Sequence, residues 1–333
     1  MSEGSSSRGG YMPQQSIELP PLYAWPPRPV AAVRWLLFEL LFPWGFVWIG
    51  LAFFSWHFLT PSEQTMAVLE PGWIFQIWVR NAYLLLLVAG GLHAWLYLRR
   101  AQKREYKYNT RWPSLGSRKF LWKDQVKDNM FWSLASGGTI WTIYEALMLW
   151  AYGNNWLPYI TFQSNPVWFV GLALVLPFWH DFHFYVVHRI SHFKPIYKAA
   201  HYLHHRNTNV GPWSGLSMHP LEHLLYFTRW IILFLVPSHP IHMFYLMQRT
   251  ALNPSLGHTG FDRIVLKEEG DGMSVDSYFH YLHHRFFECN YGTVTVPFDR
   301  WFGSLHDGTP ESYQRMRQKK RLPKEAAPAP ANT

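Results

Sequence analysis

The sequence predicts an all-α integral membrane bundle of about four spanning helices, a re-entrant or interfacial helical hairpin, and a cytoplasmic helical cap carrying clustered histidines. Three observations predict this fold class. Four mostly apolar runs occur at 35–59, 73–98, 131–152 and 166–187, each long enough to cross a hydrocarbon core that takes about 20 helical residues. Residues 99–127 hold ten Lys and Arg, whereas 61–72 and 153–165 hold none, which by the positive-inside rule makes the basic loop cytoplasmic and the bare loops external. Tryptophan recurs near the run ends, at Trp35, Trp73, Trp95, Trp150 and Trp156, where an interfacial belt would place it.

The elements follow in order. Residues 1–29 are rich in Ser, Gly and Pro and read as a disordered tail; their start lacks the charged and apolar regions of a signal peptide. The first run is broken by Glu39, Pro43 and His57, the second carries Arg80, and the third carries Gly137, Gly138 and Glu145. The fourth leads directly into the histidines. The apolar stretch 224–236 is interrupted by Arg229 and stopped by Pro237 and Pro240. Too short to span, it pairs with 241–252 as the re-entrant or interfacial hairpin. Residues 315–333 carry Arg317, Lys319, Lys320 and Arg321 before an Ala/Pro stretch, and read as a basic, disordered or membrane-surface tail. The organisation is therefore 1–29 tail, 30–165 first three spans with the basic loop, 166–308 histidine-bearing region, and 309–333 tail. With four spans, the N-terminus and everything after His188 lie in the cytoplasm, at a bacterial inner membrane or the endoplasmic reticulum.

Composition narrows the chemistry. The 333 residues carry a formal charge of +9 and one cysteine, which excludes an internal disulfide framework, a Cys-based zinc finger and an iron–sulfur cluster held by this chain alone. The positive excess stands beside the spans, so it suits anionic headgroups or an acidic protein rather than nucleic acid. Of 18 histidines, 15 fall between His180 and His284.

Eight of these form three boxes: His188-Arg-Ile-Ser-His192, His201-Tyr-Leu-His204-His205 and His280-Tyr-Leu-His283-His284. Positions i and i+4 share a helix face, as do i and i+3, so box one offers two imidazoles on one face and the others three within about a turn. Boxes two and three are the same pentapeptide, each followed by Arg (Arg206, Arg285). Packing so many polar rings beside a bilayer without a metal would leave donors and acceptors unsatisfied. A lone histidine is ordinarily a hydrogen-bonded packing residue, the reading given to His57, His93 and His306. Between these extremes, His258, after Asn253, is a candidate ligand, and His219-Pro-Leu-Glu222-His223 offers a ligand or an orienting carboxylate. His180 and His183 share the first box's helix, and His239 and His242 flank the Pro break near the membrane surface; the roles of these six open histidines, His180, His183, His219, His223, His239 and His242, are not fixed by spacing. Cys289 reads as a small buried filler.

Eight or nine imidazoles exceed the needs of one tetrahedral zinc, so two metal ions are implied. Imidazole suits iron, zinc and copper alike. A zinc hydrolase would expect His-Glu-x-x-His, which is absent; a histidine-rich metal transporter would expect ionisable residues along its spans, which hold few beyond Glu39, Arg80, His93 and Glu145.

The order His188-Arg-x-x-His192, His201-x-x-His204-His205, His219-Pro-x-Glu222, His258-x-Gly260, His280-x-x-His283-His284 resembles the fatty acid hydroxylase/sterol desaturase superfamily. Asp181-x-x-x-Tyr185-x-x-His188, Asn290-Tyr291-Gly292 and Asp299-Arg300-x-Phe302-Gly303 strengthen the resemblance, which covers roughly 177–304 and leans toward the sterol-modifying and ether-lipid branches. It implies a membrane non-haem di-iron oxygenase with His188, His192, His201, His204, His205, His280, His283 and His284 as ligands and His258 as the ninth. Asp181, Glu222, Asp299 and Asn253 are candidates to orient those ligands. The implied reaction is O2-dependent hydroxylation or desaturation of an unactivated C–H position of a lipid, a sterol or related lipid first, with fatty acyl, ether and amino-acid lipids as alternatives. The chain has no Gly-x-Gly-x-x-Gly fingerprint, so electrons are expected from a separate cytochrome, ferredoxin or flavoprotein docked on the basic surfaces.

Overall fold

The computed structural model describes residues 11, 13, 16–266, 272–275 and 277–321, with side chains as far as 318. The chain is mostly helical. The longer elements are α1 (Pro29–Leu40) and α2 (Trp44–Phe58), which meet at a 57° bend beside Pro43, α3 (Pro71–Leu98), α4 (125–153) and α5 (Pro166–Ser191). Next come α6 (194–205), α7 (Pro220–Tyr226), α8 (Pro240–Leu252) and α9 (Tyr278–Phe286). The described residues form one sheet, a hairpin of Arg263–Ile264 against Met273–Ser274.

Helices α3 and α5 are long and apolar enough to cross a membrane, and the bent pair α1–α2 makes a third if it counts as one span. The expected span at 131–152 exists as a helix but falls outside that set. Its polar residues explain why: Ser133, Ser136, Thr142 and Glu145 are all buried inside the bundle. Ser133 donates to Trp213 O, Ser136 bonds His223, and Glu145 takes Arg80. The helix nevertheless runs the length of the bundle. At its start Gln125 bonds Asn207 beside box two, and after its end Asn154 donates to Ala67 O.

The hairpin at 224–252 packs into the bundle. Its first arm continues α7 as eight residues of 3-10 helix, Phe227–Phe234, whose rise of about 2.0 Å per residue gives more reach than an α-helix. It arrives at Ser238, which donates from its N–H to Pro158 O in the loop at the far end of the bundle. The returning arm α8 is buried at all thirteen positions and packs on α2, α4 and α5. It forms part of the bundle's core, with His242, 1% exposed, buried in it. Trp35 and Trp73 likewise face the core instead of a belt, whereas Trp156 is exposed.

The basic segment and the histidine boxes lie at the same end. Arg206, next to His205, donates to Lys119 O (2.9 Å) and pairs with Asp128. Nine of the ten basic residues of 99–127 are exposed. Lys107 is the exception, buried among Tyr97, Trp112 and Phe261. The expected tails are only partly tails: Ile17 donates to Asp307 O and Arg300 holds Tyr23 O. Pro310–Arg321 is helical behind a cap in which Thr309 Oγ1 accepts from Ser312 N. Residues 1–10 and 322–333 lie outside the described set.

One ion pair ties α3 to α4. Arg80 bonds Glu145, Asn81 Oδ1 and Leu59 O, while Asn81 donates to Glu145 Oε2 and Thr142 Oγ1. Breaking a buried pair strands the surviving charge. Arg80→Met is expected to cost about 3–5 kcal/mol, seen as a lowered melting temperature of the purified protein in detergent. The double change Arg80→Met, Glu145→Met should recover most of that loss; equal melting of single and double variants would contradict the stranded-charge account.

Candidate metal centre

Helix periodicity distributes the histidines. Successive residues on an α-helix turn by about 100°, so i and i+4 point together while immediate neighbours diverge. His188 and His192 at the end of α5, and His201 and His205 on α6, are two such i, i+4 pairs, and both serve one group. His280 and His284 on α9 serve a second. The third member of each triad crosses over. His204, beside His205, joins the second group, and His283, beside His284, joins the first. His258, in the turn after Pro254–Gly257, completes the second. The result is two sets of imidazole nitrogens, His188, His192, His201, His205, His283 and His204, His258, His280, His284, with all atoms of each set within 4.8 Å of one another. Every expected ligand therefore falls in one of two groups.

The backbone sets four of the nine tautomers, and Glu222 a fifth. The Nδ1–H groups donate outward: His188 to Tyr291 O (2.6 Å), His283 to Cys289 O (2.6 Å), His258 to Pro254 O (2.9 Å) and His204 to Ser217 O (3.4 Å). His201 donates to Glu222 Oε1 at 2.6 Å. Each such bond leaves Nε2 as a lone pair aimed into its group. In the first group His192 Nε2 lies 3.1 Å from Nε2 of His201, His205 and His283. In the second, His284 Nε2 lies 3.1 Å from that of His258 and His204 and 3.2 Å from that of His280. Lone pairs so close repel unless a cation lies among them. Two nitrogens at right angles on a metal bond of about 2.1 Å stand about 3.0 Å apart, against about 3.4 Å for tetrahedral ligands. The observed edges fit the right-angle arrangement.

Burial keeps these rings neutral. It pushes His201 and His258 down to about 3 and His204 to about 4. His205, His280, His283 and His284 are held well below the usual range by burial and by neighbouring imidazoles. Neutral imidazoles need shed no proton to bind a metal. Burial raises Glu222 to about 7; a cation in the adjoining group would favour its ionised form.

The four expected orienting residues separate. Glu222 touches His201 directly. Asp299 acts one step away: its carboxylate accepts from the N–H groups of Tyr291 and Gly292 and from Ser304 Oγ, fixing the loop whose Tyr291 carbonyl receives His188. Asp181 is buried beside Thr293, Thr295 and Arg249, and Asn253 accepts from Trp48 Nε1; neither contacts a histidine of the groups.

The six open histidines have packing roles. His180 accepts from Arg229, and His183 bonds Thr228. His219 and His239 accept from Leu221 N and Ile241 N at helix starts. His223 bridges Ser136 and Leu216 O, and His242 donates to Phe169 O. Cys289 is buried, and its carbonyl is the acceptor for His283.

A cavity of about 200 Å³ reaches both groups, touching His188 and His201 of the first and His204, His258 and His280 of the second. Phe184, Met218, Leu256 and Phe279 wall it, and Arg249 and Glu39 also face it. Sequence reasoning missed Arg249, the orienting carbonyls and Gly215. A carbonyl belongs to every residue and so carries no sequence signal. Gly215 is required by close approach, since a Cβ there would stand 2.4 Å from Pro254 O, the acceptor that holds His258.

Residues 173–304 match the family model for fatty acid hydroxylase. Over 167 residues the chain is 30% identical to a Delta(7)-sterol-C5(6)-desaturase of Nicotiana tabacum, covering 49% of this chain and 56% of that protein. It is 28% identical to a Delta(7)-sterol 5(6)-desaturase of Eremothecium gossypii (45% and 42% covered) and 27% identical to methylsterol monooxygenase 1 of Gallus gallus (50% and 56%). The chain thus spans about half the length of the curated relatives it matches. No solved structure matches it. The matched segment holds all nine grouped histidines, and it is this segment, residues 173–304, that places the chain with the fatty acid hydroxylase/sterol desaturase superfamily.

Proposed function

We propose that this chain is a membrane-bound, O2-dependent oxidoreductase that holds two iron ions in its nine histidines and hydroxylates or desaturates an unactivated C–H position of a lipid, most readily a sterol or related lipid. The observation that carries the reading is the five-and-four division of neutral imidazoles beside an apolar-walled cavity. Their right-angle edges favour a metal of higher coordination than tetrahedral zinc, and the named relatives act on sterols. When bound, the iron pair supplies the O2 chemistry that breaks the C–H bond.

The protein's own groups position and shield. Five histidines would hold the first ion, with His201 kept in register by Glu222, and four would hold the second; three of those four border the cavity. Phe184, Met218, Leu256 and Phe279 keep water from a lipid lying against His204, His258 and His280. The basic end of the bundle shares the histidines' side of the membrane, the cytoplasmic side by the positive-inside rule. Electrons come from a separate acidic carrier that docks on exposed Lys119, Lys123 and Lys127. Arg206 links this loop to box two through Lys119 O.

Three outcomes are expected. Protein loaded with iron and supplied with O2 and an electron donor should convert cellular lipid to a product one oxygen heavier or two hydrogens lighter by mass spectrometry. His204→Ala and iron-stripped protein should not; turnover without iron or without O2 would contradict the proposal. Glu222→Gln should weaken iron binding by the first group about 10–100-fold in a metal titration, leaving the second group's affinity unchanged. Reversing the charge of Lys119, Lys123 and Lys127 should slow reduction by an acidic carrier about tenfold at low salt with iron content unchanged; equal reduction rates would place the carrier elsewhere.

A further inference from the structure

The two histidine groups reach the outside at different places. Seven of the nine grouped rings are buried, while His192 in the first group and His280 in the second are partly exposed. His280 borders the cavity and His192 does not. The first group therefore has an opening of its own, at the C-terminal end of α5. There His192 Nε2 lies 3.1 Å from the Nε2 atoms of His201, His205 and His283. A single side chain thus connects the centre of the group to the protein surface.

What surrounds that opening is aromatic and basic. The His192 ring stands 4.9 Å from the Tyr291 ring and 5.6 Å from that of Tyr197. The Arg189 guanidinium lies 4.4 Å over the Tyr291 ring. Arg189, Lys194 and Lys198 are all exposed, and the sequence has no Asp or Glu from 182 to 221. On the neighbouring loop after α9, exposed Arg285 and Glu288 offset each other. The face around His192 is consequently cationic, which suits an acidic protein partner. Electron-transfer encounters are among the smallest protein interfaces, burying less than about 1,200 Å² in all, so a patch of this extent suffices. Electron transfer also falls off steeply with distance, which favours delivery where a ligand ring itself meets the surface.

We propose that the face formed by Arg189, Lys194 and Lys198 around His192 is where an acidic one-electron carrier protein delivers its electrons to the metal of the first group. At each encounter the carrier is oxidised by one electron and that metal is reduced by one, with no bond made or broken. The inference rests on the iron reading above and adds to the basic loop at 119–127 the point where the electron crosses. Full-length, iron-loaded, oxidised protein in detergent is mixed without air or lipid with a reduced acidic [2Fe–2S] ferredoxin, whose own absorbance reports the transfer. The double change Lys194→Glu, Lys198→Glu should slow transfer about tenfold or more at low salt. Its iron content and its reduction by dithionite, a small reductant that needs no docking face, should stay as in the wild type. A bulky maleimide on Lys194→Cys, selective because Cys289 is buried, should block ferredoxin and spare dithionite at any salt. Cations that served only lipid headgroups would leave ferredoxin reduction at the wild-type rate in both altered proteins, and that result would overturn the proposal. So would a wild type that dithionite reduces and ferredoxin does not. Ferredoxin reduction through this face in a protein unable to oxidise any lipid would uphold the entry point and refute the reaction.

Discussion

Nine imidazoles must stay neutral and turn one nitrogen each toward two shared points, and much of this fold serves that constraint. Neutrality comes from burial beneath the bundle end. Orientation comes chiefly from outward hydrogen bonds, most of them to main-chain carbonyls, so the geometry of a loop fixes the direction of a ring. Asp299 shows how far the support extends: it touches no histidine, yet it holds the Tyr291 segment that receives His188.

The same logic explains the architecture. Boxes one, two and three sit on α5, α6 and α9, and His258 on the turn after α8, so the groups close only when four parts of the chain meet. α8 makes that meeting possible. It is buried on every side, lies against α2, α4 and α5, and leads directly into the turn carrying His258. Polar pairs inside the bundle, Arg80 with Glu145 and Ser136 with His223, fix how α3, α4 and α7 register against one another.

Much of this was legible in the sequence. Apolar run length located α3, α5 and the bent pair α1–α2, and box spacing located eight of the nine grouped histidines, because both signals are local; His258 stood outside the boxes and came from its place in the family pattern. Allocation to two groups followed from i, i+4 geometry but needed the tertiary structure to show that His204 and His283 change sides. The helix at 125–153 resisted a purely hydropathic reading because its polar face is turned inward and paired. The hairpin resisted because 3-10 reach and complete burial of α8 are properties of packing. Glu222 was recognisable from its place in His219-Pro-x-Glu222. Asp181 carried a motif position too, but its carboxylate faces no histidine of either group. Arg249 left no local trace, since an arginine in a mixed segment acquires meaning only when a cavity opens beside it.

The central claim is that one chain binds two metal ions through imidazole alone. X-ray absorption at the iron edge of purified, iron-loaded protein, paired with metal quantification, tests it most directly. The account predicts two irons per chain and a nitrogen shell near 2.1 Å, about four to five imidazoles per iron. A single iron per chain, or a shell dominated by sulfur or carboxylate oxygen, would contradict it.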